Sequence, residues 1–65
     1  MPRFAKFEQY DGKRIYVNVD AIMDVYEDEV GGEQVRLDLI GDADNWYIVK
    51  GTYERVTGII REALS

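Results

Sequence analysis

The chain has 65 residues, 46% hydrophobic and 32% charged, with a formal net charge of −5, which fits one small acidic globular domain. It contains no cysteine and no histidine, which removes disulfides, the usual zinc ligand sets and every Ser/His/Asp or Cys/His nucleophile arrangement. The longest apolar run, Trp46-Tyr47-Ile48-Val49, is too short to span a bilayer, and residues 1–6 lack the apolar stretch of an export signal. A cytoplasmic location without membrane insertion is therefore expected.

The N-terminal third reads as a hairpin. Arg3 to Tyr10 and Lys13 to Val19 have strand character, with Ile15, Val17 and Val19 on one face. Asp11-Gly12 between them suits a type I′ turn, which needs positive φ at both central residues. Asn18 to Ala21 reads as a short turn, because Asn and Asp side chains compete for backbone hydrogen bonds. Ile22 to Asp28 reads as a third strand, with Met23 and Val25 on one face and Ile22 and Tyr26 on the other.

Gly31-Gly32 marks the next loop. Gln34 to Ile40 alternates cleanly: Val35, Leu37 and Leu39 against Gln34, Arg36 and Asp38. Gly41 to Asn45 is a loop, and Trp46 to Lys50 is the fifth strand. Thr52 is an N-cap candidate. Beyond it Tyr53, Val56, Ile60 and Ala63 recur at helical spacing, with Ile59 and Leu64 beside them, giving an amphipathic helix of about three turns. Glu54 in its first turn and Arg61 in its last suit the helix dipole. Short connections imply an α+β fold: a five-stranded antiparallel meander with the C-terminal helix packed on one sheet face.

Charge is unevenly spread. Residues 1–19 carry +2, residues 20–47 carry −8 and residues 48–65 carry +1. The acidic middle would repel phosphate, which argues against direct nucleic-acid binding through it. Its carboxylates Asp24, Glu27, Asp28, Asp42 and Asp44 serve either as a solubilising face or as an attraction for a basic protein surface.

Chemistry finds little support. An EF-hand-type calcium loop needs an oxygen ligand at its fifth position, glycine at its sixth and glutamate at its twelfth. Counted from Asp42, those places hold Trp46, Tyr47 and Tyr53. Aspartate and asparagine there read as turn formers, so no metal or cofactor is expected. No glycine-rich phosphate loop occurs, and a chain this short leaves little room for the cleft that a raised-pKa carboxylic acid requires. A non-enzymatic protein is expected.

The aromatic content points elsewhere. On the fifth strand Trp46 and Ile48 point one way, Tyr47 and Val49 the other. With Val49 towards the core, Trp46 lies on the exposed sheet face, and the same logic exposes Tyr16 and Tyr26. Tyrosine and tryptophan are enriched at interface hot spots, so Trp46, Tyr16 and Tyr26 are candidate protein-binding residues together with the five acids. The partner is another protein or a second copy of this chain, since so small a domain has a thin core of its own.

Gly12, Asn18, Asp20 with Ile22 and Val25, Val35 with Leu37, then Val49-Lys50, Thr52, Glu54 and Val56 resemble the pattern of the small FlbD/SwrD-type proteins encoded in bacterial flagellar operons. The likeness runs over residues 7–64, and the back half is also similar to the end of the LytTR DNA-binding domain. The FlbD/SwrD resemblance implies a bacterial regulatory or accessory role and assigns no catalytic residue. The functional expectation is a small protein-interaction module. The alternative is a phage or mobile-element inhibitor whose acidic segment occupies a nucleic-acid-binding surface of a host enzyme. Reading the Asp/Asn loop as a turn predicts that neither calcium nor EDTA changes the melting temperature; a shift of several degrees would identify it as a metal loop.

Overall fold

Alternation of apolar and polar residues builds the strands, and the turns between them decide how they pair. The structure, a computed structural model, describes residues 3–27, 32–41 and 44–65. In chain order it contains β1 (Phe4–Glu8), β2 (Arg14–Asn18), a one-turn 3-10 helix (Val19–Ala21), β3 (Ile22–Glu27), β4 (Gln34–Leu39), β5 (Trp46–Lys50) and α1 (Tyr53–Leu64). The chain is α+β, with antiparallel strands and one C-terminal helix.

The strands divide into two sheets instead of the single five-stranded meander expected. β1 pairs with β2, and β3, β4 and β5 form a three-stranded meander. The turn after β2 causes the division. Asn18 Oδ1 accepts from Asp20 N–H at 3.0 Å and caps the 3-10 helix. The chain leaves that turn redirected, and Ile40 N–H donates to Ala21 O at 2.8 Å. β3 thus joins β4 rather than β2. β1 meets β5 at one bridge, Gln9 to Val49, where Tyr10 N–H donates to Ile48 O at 3.2 Å.

The first hairpin differs from a type I′ turn. Gln9 N–H donates to Lys13 O at 2.7 Å and Gly12 N–H to Gln9 O at 2.8 Å. Gly12 takes φ +90°, while among the described residues every positive φ belongs to glycine. Asp11 therefore lies outside the left-handed region, and Tyr10, Asp11 and Gly12 make a three-residue loop with glycine at its left-handed position. Asp11 Oδ1 accepts from Lys13 N–H at 3.0 Å.

β3 also departs from simple alternation. The register shifts between Ile22 and Asp24, which pair with Leu39 and Asp38. The extra residue, Met23, is exposed, and Ile22 and Val25 both pack against the core. A bulge changes which side chains face inward, so the expected pairing of Met23 with Val25 on one face does not hold.

The core lies between the two sheets and the helix. Phe7 and Val17 enter from the first sheet, and Val35, Leu37 and Val49 from the second. Val56 of α1 is fully buried among them, and Ile59, Ile60 and Ala63 are half-buried at its rim. Each fully buried Val or Leu contributes about 1.5–3 kcal/mol of transfer free energy. Thr52 caps the helix, its Oγ1 accepting from Arg55 N–H at 3.2 Å. At the other end Arg3 Nη1 donates to Leu64 O at 2.9 Å while its guanidinium also pairs with Asp20. A cation there complements the negative end of the helix dipole. α1 touches β1, the 3-10 turn, β3 and β4, so one helix bridges both sheets. Among the described residues no helix is long and apolar enough to cross a membrane.

Two glycines separate tolerance from necessity. A Cβ at Gly58, within α1, would have nothing within 4 Å. Gly51 has φ +126°, and a Cβ there would stand 3.3 Å from Val56 Cγ2. Gly58→Ala is expected to raise unfolding stability in urea by about 0.5–1 kcal/mol. Gly51→Ala is expected to lower it by about 1 kcal/mol or more. A loss at position 58 would show that the helix packs more closely there than the structure has it.

Candidate functional site

The three-stranded sheet has one face towards the core and one towards solvent. In its register Val25, Leu37 and Tyr47 lie side by side, as do Glu27, Val35 and Val49. Val35, Leu37 and Val49 are fully buried, which fixes that face as the inner one. The intervening rungs face outward: Asp24, Asp38 and Trp46 on one, Tyr26, Arg36 and Ile48 on the next.

Arg36 sits at the centre of this outer face. Its guanidinium carbon is 4.6 Å from the Trp46 ring centroid and 5.6 Å from that of Tyr26. Both rings attract the cation through their quadrupoles. Arg36 Nε donates to Asp38 Oδ1 at 2.8 Å, and Tyr26 Oη–H donates to Asp38 Oδ2 at 2.9 Å. The four side chains thus fix one another across three strands. Trp46 stays 41% exposed and Tyr26 42%, so substantial ring surface remains open to solvent.

The same contacts set the protonation of the cluster. The Arg36 hydrogen bond holds the Asp38 carboxyl below its ordinary range, with the Tyr26 hydroxyl acting in the same direction. The Asp38 hydrogen bond, with smaller help from desolvation, pushes the Tyr26 hydroxyl upward. Because the folded-state pKa of Asp38 is depressed, its stabilising contribution is present above the ordinary value of 3.8 and is lost as pH falls through the lowered one.

The structure gathers only part of the expected site. Trp46, Tyr26 and Asp24 share the outer face. Tyr16 is 71% exposed but lies on the other sheet, opposite Lys6 on β1. Glu27 occupies an inner-face register position at the end of β3 and is itself exposed. Asp44 is exposed in the loop before β5, its carbonyl accepting from Trp46 N–H at 3.1 Å. Asp28 and Asp42 lie outside the described residues. Among the described residues no group of three or more carboxylates is placed to hold a metal ion.

Sequence reasoning missed Arg36 and Asp38 as members of the aromatic cluster. Alternation along β4 puts them opposite Val35 and Leu37, but only the cross-strand register shows that they stand between Tyr26 and Trp46. It also missed a cleft of about 520 Å³ where β1, the ends of β4 and β5, and α1 come together. Lys6 and Glu8 line one side, Glu33 and Lys50 the other, with Arg55 from the helix. These residues are far apart in the chain, and no local pattern joins them.

Comparison with family models, with curated proteins and with solved structures finds no match.

The cluster predicts an order of effects on Asp38. Arg36→Met should raise its pKa towards 3.8, and Tyr26→Phe should raise it by less, as read by NMR titration of the side-chain carboxyl. Equal effects would contradict the larger role of the guanidinium, and a reversed order would show that the tyrosine hydroxyl dominates.

Proposed function

We propose that this protein is a small non-enzymatic interaction module whose outer β3–β4–β5 face binds another protein. The observation that carries the reading is the exposed Tyr26–Arg36–Trp46 array. Tyrosine, tryptophan and arginine are the residue types most enriched at interface hot spots. Here they are already held in place, so binding loses less side-chain entropy. Exposed Met23 at the nearby bulge and half-buried Ile48 add apolar surface.

The resemblance to FlbD/SwrD-type proteins supports a bacterial regulatory or accessory role in the cytoplasm, and self-association through the same face is one form that the role takes. Occupation of a nucleic-acid-binding surface by acidic mimicry has less support. It calls for free carboxylates along one face. Asp24 and Glu27 fall on opposite faces, and Asp38 is engaged by Arg36 and Tyr26.

The test is capture from native lysate on immobilised wild-type protein and on Trp46→Ala, with low-salt and then high-salt washes. A partner held by the aromatic face should survive high salt, because apolar contacts are not screened. Trp46→Ala should weaken its binding by about 2 kcal/mol or more, the range of an interface hot spot. The change in unfolding stability should stay within about 1 kcal/mol. A large stability loss with unchanged binding would make Trp46 a packing residue and overturn the proposal.

A further inference from the structure

The seam between β1 and β5 opens as soon as it leaves its one bridge. In the first hairpin Val19 N–H donates to Arg3 O, and Gln9 N–H donates to Lys13 O. Backbone groups alternate in direction along an antiparallel strand. The odd-numbered positions of β1 therefore face β2, and Lys6 and Glu8 face the β5 side. Tyr10 belongs to the same even-numbered series, and its N–H reaches Ile48 O. Past that point the neighbouring strand runs out. Lys50 is the last residue of β5, and Gly51, at φ +126°, turns the chain towards α1. Lys6 thus presents edge backbone groups to a cleft of about 520 Å³, a volume within the usual range of binding sites.

An open strand edge is a template for one more strand, and the charges around it select the occupant. Lys6, Lys50 and Arg55 converge on the cleft with Glu8 and Glu33. Lys50 Nζ already meets Glu8 Oε2 at 3.4 Å. Among the described lining residues that leaves Lys6 and Arg55 against Glu33, a local cationic excess in a chain of net charge −5. Phe7 and Ile59 provide apolar lining between the charges. We propose that this cleft binds an extended acidic segment of another protein as an added strand on the free edge of β1. Alternate side chains of such a strand point the same way. Its carboxylates would lie on the Lys6 side of the added strand and its apolar side chains on the Phe7 side, against Ile59, with Arg55 adding to the positive field at the rim of the cleft. The site is separate from the outer face of β3–β4–β5, so either can fail without the other.

The test uses a blocked Glu-Val-Glu-Val-Glu peptide, its lysine counterpart and inorganic phosphate, each titrated into isotope-labelled protein and followed by amide NMR. The glutamate peptide should give saturable shifts at Lys6, Glu8, Gly51 and Arg55 and should slow hydrogen exchange at the Lys6 amide. Lys6→Glu and Arg55→Glu change exposed side chains and should each weaken binding by about tenfold. Tyr26→Ser, on the other sheet face, should leave it unchanged. Absence of saturable shifts, equal binding of the lysine peptide, or insensitivity to both charge reversals would overturn the proposal. So would phosphate reproducing the full shift pattern, since that would make the cleft a simple anion site.

Discussion

Val56 is the contact on which the architecture depends. It is fully buried where α1 meets the inner faces of both sheets. A two-stranded hairpin is marginal alone in water, and among the described residues the two sheets share one bridge. The helix therefore holds the halves together. The turn into it is equally constrained: Gly51 adopts a left-handed φ directly beside Val56, and Thr52 caps the first turn. Arg3 fastens the far end through Leu64 O and Asp20.

One helix covers only one face of a sheet. That geometric limit leaves the outer face of β3–β4–β5 without a covering layer, and the sequence fills it with residues that hold one another. Arg36 lies over Trp46 and near Tyr26, while Asp38 ties the arginine to the tyrosine hydroxyl. Cross-strand pairs of this kind are the unit of sheet stabilisation. They also leave aromatic surface exposed in a fixed arrangement, which is the property a protein-binding face needs.

The strands, the helix and the inward faces of β4 and β5 were legible because alternation and helical spacing are local. Of Val35, Leu37, Val49, Val56 and Ile60, the residues that local pattern places inside, the first four are fully buried and Ile60 is half-buried against them. The exposure of Trp46 and Tyr26 follows from the same alternation. Three features were not legible. The 3-10 turn at Val19–Ala21 sends the chain into a second sheet, and a turn's exit direction is not written in its composition. The bulge at Met23 inserts one residue into the ladder and breaks the period of two. The meeting of Arg36 with both rings, and of Lys6 with Arg55 around the cleft, depends on long-range register and packing.

The central claim is that the Tyr26–Arg36–Trp46 face meets another protein. Site-specific photo-crosslinking tests it most directly, with a photoreactive residue placed at position 26 and, as a control, at exposed position 62 on the helix. The account predicts a discrete adduct from position 26 in native lysate, persisting at high salt, and none from position 62. No adduct from position 26, or equal labelling from both positions, would contradict it.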